Sequence, residues 1–243
     1  MSDPQGLAFD ALAEDYDLGR PPWPASLVAE AEGETALDLA AGTGKLTSLL
    51  VERFEVVYAV EPLAGMRSVL ERNVTAADSL EGSAERIPLD DASVDAAFVA
   101  EAFHWFDSHI AVRELARVLR PGGTLVVCFN EWLGFEPELP DAFRETYHAA
   151  ASGLPVPGGP KVQSGEWKLG FEGAPFTPLT EEHHRHTWTT TRESVAAYFV
   201  STSSMGALPE HDRAALRERL TELLPAADHR LELDAHAFRT LRT

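Results

Sequence analysis

The chain is poor in residue types that many functions require. One cysteine, Cys128, stands among 243 residues, so no disulfide can form within the chain. Cys128 lies in the apolar run Leu125–Phe129, where burial in a strand is the expected fate of its thiol. Only three lysines occur, Lys45, Lys161 and Lys168, and Lys plus Arg number 20 against 39 acidic residues. The resulting formal charge of −19 argues against nucleic acid and anionic membrane as partners, because both demand surfaces rich in Lys and Arg. No uninterrupted apolar stretch approaches the roughly 18 residues of a membrane-spanning helix. The segment Met1-Ser-Asp-Pro-Gln-Gly lacks the charged and apolar regions of a secretory leader. A soluble cytoplasmic protein, monomeric or homodimeric, is the expectation.

What is present is enough for a full core: 44% of residues are hydrophobic, and the length suits one α/β domain with a small appended cap. The most informative stretch is Thr35-Ala-Leu-Asp-Leu-Ala-Ala-Gly-Thr-Gly44. A short apolar run carries one acid, Asp38, and ends in the turn Gly42-Thr43-Gly44. Lys45 to Phe54 then has a helical pattern, with Leu46, Leu49, Leu50 and Phe54 on one side. Strand, glycine turn and helix build a nucleotide-type pocket, since glycine permits close backbone approach and a helix N-terminus offers unpaired N–H groups. A phosphate-binding P-loop is excluded because Leu39 and Leu46 occupy its glycine and hydroxyl positions. A dinucleotide fingerprint is weakened by Thr47, which stands where its third glycine would be.

Val56 to Val60 reads as the second strand, and Glu61-Pro62 follows directly. Ligands of a doubly wound sheet bind at the carboxyl ends of its strands, so Glu61 is expected beside Gly42. A carboxylate there suits two ribose hydroxyls. Further strands are expected near 77–82, 94–100 and 123–129, with helices over 9–16, 24–32, 44–53, 64–73 and 107–119. Asp107 is the cap candidate of the last helix and Pro121-Gly-Gly its stop. Strict β–α alternation implies a parallel sheet with right-handed crossovers. Late strands are expected at 183–191 and 231–241, and helices at 192–199 and 209–224. Between them, residues 151–178 hold five prolines and six glycines with Trp167, Phe171 and Phe176, which reads as a mobile cover over the mouth of a pocket. The alternative is a passive surface loop whose aromatics pack permanently on the sheet edge.

Four blocks in order carry a family resemblance: Leu37-Asp-Leu-Ala-Ala-Gly-Thr-Gly, Val60-Glu-Pro, Gly82-Ser-Ala-Glu-Arg-Ile-Pro-Leu and Arg117-Val-Leu-Arg-Pro-Gly-Gly-Thr-Leu. Together they resemble class I S-adenosylmethionine-dependent methyltransferases across roughly residues 35–130. Ala102-Phe-His-Trp-Phe and the segment from Tyr16 to Arg20-Pro-Pro-Trp-Pro resemble a subgroup of small-molecule enzymes related to the trans-aconitate methyltransferases. One departure is Ala40, where the family has the first glycine of the loop.

The resemblance implies a doubly wound, seven-stranded, mostly parallel sheet with an antiparallel C-terminal edge hairpin. It divides the chain into a helical cover (1–34), a cofactor-binding core (35–130) and an acceptor-side cap with the last strands (131–243). It implies S-adenosyl-L-methionine as cofactor and a small-molecule acceptor. On this basis Ala40, Gly42, Thr43 and Gly44 face the methionine end, and Asp38 orients the loop and the ammonium group, although Asp38 could also cap neighbouring amides. Glu61 and Pro62 lie at the ribose, Met66 at the adenine or in the core, and Ala84 and Glu85 beside the adenine. Tyr16 and Arg20 belong to the N-terminal cover, where Arg20 meets the methionine carboxylate, an acidic substrate or solvent. Beyond Glu101, the residues Phe103, His104 and Trp105 lie over the methyl group, where aromatic faces suit a sulfonium. His104 is a candidate general base or a structural histidine. His184 and His186 share a strand face near His183, but no third ligand stands at metal spacing, so no metal is expected. A nicotinamide-dependent oxidoreductase, disfavoured by Thr47 and by the lack of a Tyr-x-x-x-Lys pair, and a non-catalytic binder of the cofactor or its product are the alternatives.

Overall fold

The central strands are short, apolar and almost wholly buried, as parallel strands covered on both faces must be. A computed structural model describes residues 6–133, 139–154 and 162–243. Its sheet has seven strands in the order β3-β2-β1-β4-β5-β7-β6. These are β1 (Thr35–Leu39), β2 (Val56–Val60), β3 (Asp78–Leu80), β4 (Val94–Ala100), β5 (Leu119–Trp132), β6 (Thr180–Thr190) and β7 (His229–Leu241). The first five run parallel, while β7 pairs antiparallel with both β5 and β6. The chain order reverses between β1 and β4, the switch point at which doubly wound sheets open a crevice.

Two apolar layers sandwich the sheet. One gathers Leu37, Val99, Leu115, Val127, Phe103 and Trp167, the other Leu27, Leu50, Phe54, Phe98 and Cys128. Helix α1 (Ala13–Gly19) precedes the sheet, and α2 (Thr47–Leu50), α3 (Ala64–Asn73) and α4 (Ser108–Val118) connect its parallel strands. Asp107 caps α4, its carboxylate accepting from the Ile110 amide at 3.1 Å. Helices α5 (Asp141–Ala151), α6 (Arg192–Val200) and α7 (Glu210–Glu222) form a cap whose own small core holds Phe143, Phe199 and Leu220.

Several local expectations are corrected. The helix expected over 24–32 is a 3-10 turn, Ala25–Leu27, consistent with prolines at 21, 22 and 24 fixing the preceding backbone. The helix expected over 44–53 is reduced to Thr47–Leu50, because Gly44 is left-handed (φ 89°) and only its carbonyl, which accepts from the Ser48 amide at 2.9 Å, joins the helical bonding. Helix α4 stops at Val118, before Pro121-Gly-Gly, since Leu119 already pairs with Val94. Helix α5 had no expected counterpart.

The mobile cover is the largest correction. The stretch holding Pro155, Pro157 and Pro160 lies outside the described residues. Glu166–Phe171 forms a 3-10 helix in which Trp167 is buried, with ring centroids 5.5 Å from Phe103, 5.7 Å from Phe129 and 5.0 Å from Phe238. Gly170 packs so tightly on α4 that a Cβ would lie 2.4 Å from the Ser108 carbonyl oxygen. These aromatics fill the core beneath the sheet and do not line the pocket near Trp105.

Two of the sequence blocks hold one another. Arg117 donates to the carbonyls of Ile87 (2.9 Å) and Leu89 (2.7 Å) and to the carboxylates of Asp91 and Glu114, so the Arg-Val-Leu-Arg-Pro-Gly-Gly block staples the loop after β3. These ionic partners raise its pKa further still.

Candidate functional site

Two adjoining clefts, one larger than the other, open at the carboxyl ends of β1, β2 and β4. They share Tyr16, Ala40, Gly42, Ala100 and Glu101, which form the ridge between them. Ala40 and Glu101 both have left-handed backbones (φ 58° and 57°), strained for residues with a Cβ. That geometry explains why glycine suits position 40, and such strain concentrates at ligand sites.

The larger cleft is lined by Arg20, Trp23, Asp38, Thr43, Lys45, Asn130, Trp132 and Tyr198 among others. Asp38 is buried at the end of β1, where the Thr47 hydroxyl donates to its Oδ2 at 2.6 Å. Its Oδ1 is buried without a partner. Burial outweighs the Thr47 bond and raises its pKa to about 7. Arg20 lies between two rings, its guanidinium carbon 4.5 Å from the centre of Tyr16 and 4.7 Å from that of Tyr198. One Nη donates to the Ser201 carbonyl at 3.2 Å, while Nε is buried and unpartnered. An unsatisfied buried polar atom is costly and calls for a partner. Here an acceptor and a donor of opposite charge line the same cleft.

The smaller cleft is lined by Phe9, Glu61, Leu63, Met66, Ala102 and Trp105 besides the ridge. The Glu61 carboxylate accepts from the Gly42 amide (2.9 Å) and the Leu63 amide (2.9 Å). Burial still raises its pKa above the usual carboxylate value. Each carboxylate oxygen carries two lone pairs, so two amides leave capacity for further donors. Glu101 accepts from the Asn130 amide at 2.6 Å and is likewise raised by burial.

The remaining expected residues lie elsewhere. Gly44 lies against α3, where a Cβ would approach Leu70 Cδ1 to 2.6 Å. Pro62 offers its carbonyl to Arg67 at 3.1 Å. Ala84 belongs to the apolar layer holding Phe103, and Glu85 accepts from the Asp107 amide at 3.4 Å; neither lines a cleft. Phe103 is fully buried, stacked 5.6 Å from Phe171. His104 lies 4.9 Å from Trp105, centroid to centroid, and burial lowers its pKa to about 4. His104 is therefore neutral near pH 7. Trp23, Lys45, Asn130, Trp132 and Tyr198 had no expected role. The last three lie outside the sequence blocks or in the cap. Asn130 and Trp132 reach the cleft on β5, which pairs with β4 and binds Glu101 through the Asn130 amide, and Tyr198 does so through the packing of α1 on α6.

Residues 37–127 match the family described as a methyltransferase domain. An uncharacterized methyltransferase of Mycobacterium tuberculosis is 47% identical over 139 residues, which covers 55% of this chain and 57% of that protein, little more than half of each. A methyltransferase-like protein of Schizosaccharomyces pombe is 28% identical over 222 residues, covering 88% of this chain and 82% of the relative. Among solved structures, a protein designated a type II methyltransferase from Anaeromyxobacter dehalogenans superimposes with a TM-score of 0.62 at 26% identity, covering 92% of this chain and 97% of that one. The fold is that of its Rossmann-like methyltransferase neighbour, and residues 37–127 match the methyltransferase-domain family. Among the described residues, no helix is long and apolar enough to cross a membrane.

Proposed function

We propose that the protein transfers a methyl group from S-adenosyl-L-methionine to a small-molecule acceptor. The observation that carries this reading is the opposite charge of two of the unpartnered buried atoms on residues lining the larger cleft, Asp38 Oδ1 and Arg20 Nε, beside Thr43 Oγ1 and Asn130 Oδ1. An α-amino acid presents an ammonium and a carboxylate, which match that pair in charge and in hydrogen-bonding sense. Across the ridge, Glu61 offers an amide-anchored carboxylate for vicinal hydroxyls, with Met66 and Leu63 as apolar neighbours. The residues present therefore fit the cofactor across both clefts.

When bound, this cofactor supplies a methyl carbon that is already electrophilic. The protein's share is alignment and exclusion of water. Asp38 and Arg20 hold one end of the site and Glu61 the other, with the Gly42 turn on the ridge between them. Glu101 places a carboxylate on the ridge, where it can balance positive charge. Tyr16 and Tyr198 clamp Arg20 and close the larger cleft from above. His104 is neutral at pH 7, the form that accepts a proton, while no base is required for an acceptor that is already nucleophilic.

The aromatic side chains Trp23, Trp132 and Tyr198 lining the larger cleft support a small acceptor over a macromolecule. The Ala102-Phe-His-Trp-Phe and Arg20-Pro-Pro-Trp-Pro segments favour the subgroup that resembles the trans-aconitate enzymes, acting in the cytoplasm. A malonyl-[acyl-carrier protein] O-methyltransferase of Serratia marcescens is 36% identical over 115 residues, so an acceptor carried on a protein is the competing reading. The test is incubation with labelled cofactor and, separately, a low-molecular-mass extract, protein and nucleic acid. Label entering only the small-molecule fraction is expected. Label entering only protein or nucleic acid would overturn the choice of acceptor.

A further inference from the structure

The antiparallel hairpin carries a side-chain cluster that the methyl-transfer site does not use. His183 on β6 stands directly opposite His236 on β7, and His236 stands opposite Phe129 on β5. Glu181, two residues before His183, shares its strand face. One ligand atom from each of Glu181, His183 and His236 lies within 4.8 Å of the others. We propose that these three side chains form a site for a divalent first-row transition metal of the zinc type, built where β6 and β7 pair at the edge of the sheet.

The surroundings of the two imidazoles support this assignment. Asp234 Oδ2 lies 2.7 Å from His183 Nδ1. A carboxylate can only accept, so Nδ1 carries the proton and Nε2 keeps its lone pair for a ligand. His236 lies between two carboxylates, with Nε2 2.5 Å from Glu181 Oε1 and Nδ1 3.5 Å from Glu131 Oε1. A metal inserted between His236 Nε2 and Glu181 leaves Nδ1 to donate to Glu131. Each histidine then has a carboxylate behind it, the arrangement that orients metal-bound imidazoles. Independently, Asp234 is nine-tenths buried and its Oδ1 has no partner, an excess of buried negative charge behind the site. Arg185, opposite Asp234 on β6, and Lys168, 4.0 Å above the Phe238 ring, are the neighbouring cations, against the three carboxylates of Glu131, Glu181 and Asp234. Imidazole and carboxylate together suit zinc, nickel or copper better than calcium or magnesium. Ligand atoms each roughly 2 Å from a tetrahedral metal lie about 3.3 Å apart. His236 Nε2 and Glu181 Oε1 must therefore separate from 2.5 Å, while the His183 ring, stacked 4.5 Å from that of His236, turns toward them. Glu181 and His183 are half exposed, which leaves them free to do so.

The test is calorimetric titration of zinc into the untagged protein, with paramagnetic resonance of the copper-loaded form as a second readout. One zinc per chain is expected, with copper showing coupling to imidazole nitrogen. His183→Ala and His236→Ala should each weaken zinc binding at least about tenfold, and Asp234→Asn by about 10–100-fold through His183. His184→Ala and His186→Ala, on the opposite strand face, should bind as the wild type does. The exposed His183 can be removed without threatening the fold, so its variant decides even if His236→Ala does not fold. Absence of zinc binding, or binding unchanged in His183→Ala, would overturn the site. Neither outcome bears on methyl transfer, which is read separately.

Discussion

The Gly42 amide donates to Glu61 Oε2 at 2.9 Å, tying the glycine turn after β1 to the end of β2. The Leu63 amide holds the other oxygen. A carboxylate fixed by two amides of the protein needs no reorganisation to receive further donors, so this part of the site is preorganised before any ligand arrives.

Asp38 makes ligand binding depend on pH. Its folded pKa is raised to about 7 by burial, above the roughly 3.9 of an exposed aspartate. The folded state therefore holds the proton more tightly, and Asp38 destabilises the ligand-free protein progressively as pH rises from about 4 through 7. Asp38→Asn, which can still accept from Thr47, should raise the melting temperature at pH 8 and leave it nearly unchanged at pH 4. Affinity for an ammonium-bearing ligand should rise with pH up to about 7 in the wild type and be lost in the variant. A melting difference that does not vary with pH would contradict this.

The two glycines of the turn should fail differently. A Cβ at Gly42 would meet only Tyr16 Cε1 at 3.9 Å and would project into the clefts. A Cβ at Gly44 would meet Leu70 Cδ1 at 2.6 Å and Val74 Cγ2 at 3.0 Å. Gly42→Ala should abolish ligand binding, with only the roughly 1–2 kcal/mol cost of its left-handed backbone. Gly44→Ala adds overpacking of about 1–3 kcal/mol. Denaturation midpoints alongside ligand titration separate the two, and equal stability losses would contradict the packing described.

Much of this was legible in the sequence, for identifiable reasons. The strands β1, β2 and β4 are apolar runs bounded by turn residues, and the blocks at 37–44 and 60–62 place Gly42 and Glu61 at adjacent strand ends. The clamp on Arg20 was not legible, because Tyr198 comes from a cap helix 178 positions away in the sequence. Nor was the burial of Trp167. Prolines and glycines mark irregular backbone, but nothing local tells whether that backbone packs on the core or covers a pocket. The pairing of His183 with His236 was hidden for the same reason, since register between distant strands leaves no spacing signal.

The packing of Trp167 carries its own expectation. Trp167→Ala should destabilise the ligand-free protein by about 3–5 kcal/mol. Hydrogen exchange of residues 166–171 should be equally slow with and without ligand. Protection that rises only on ligand binding would restore the role of a cover.

Close approach of α1 to the cap is equally exposed to test. A Cβ at Gly19 would lie 2.2 Å from the Tyr198 backbone nitrogen, so α1 packs on α6 only through glycine. Gly19→Ala must push the helices apart and loosen the Tyr16, Arg20 and Tyr198 clamp. A stability loss of at least about 1–3 kcal/mol together with weaker ligand binding is expected. Unchanged binding in a folded variant would show that the clamp does not contribute to the site.

The most direct measurement is calorimetric titration of S-adenosylhomocysteine into the wild type and into Glu61→Ala. Loss of charge-assisted bonds worth roughly 1.5–3 kcal/mol each should weaken binding at least about tenfold in the variant, with one ligand per chain in the wild type. No binding to the wild type, or equal affinity in a folded Glu61→Ala, would contradict the assignment of these clefts to the methyl donor.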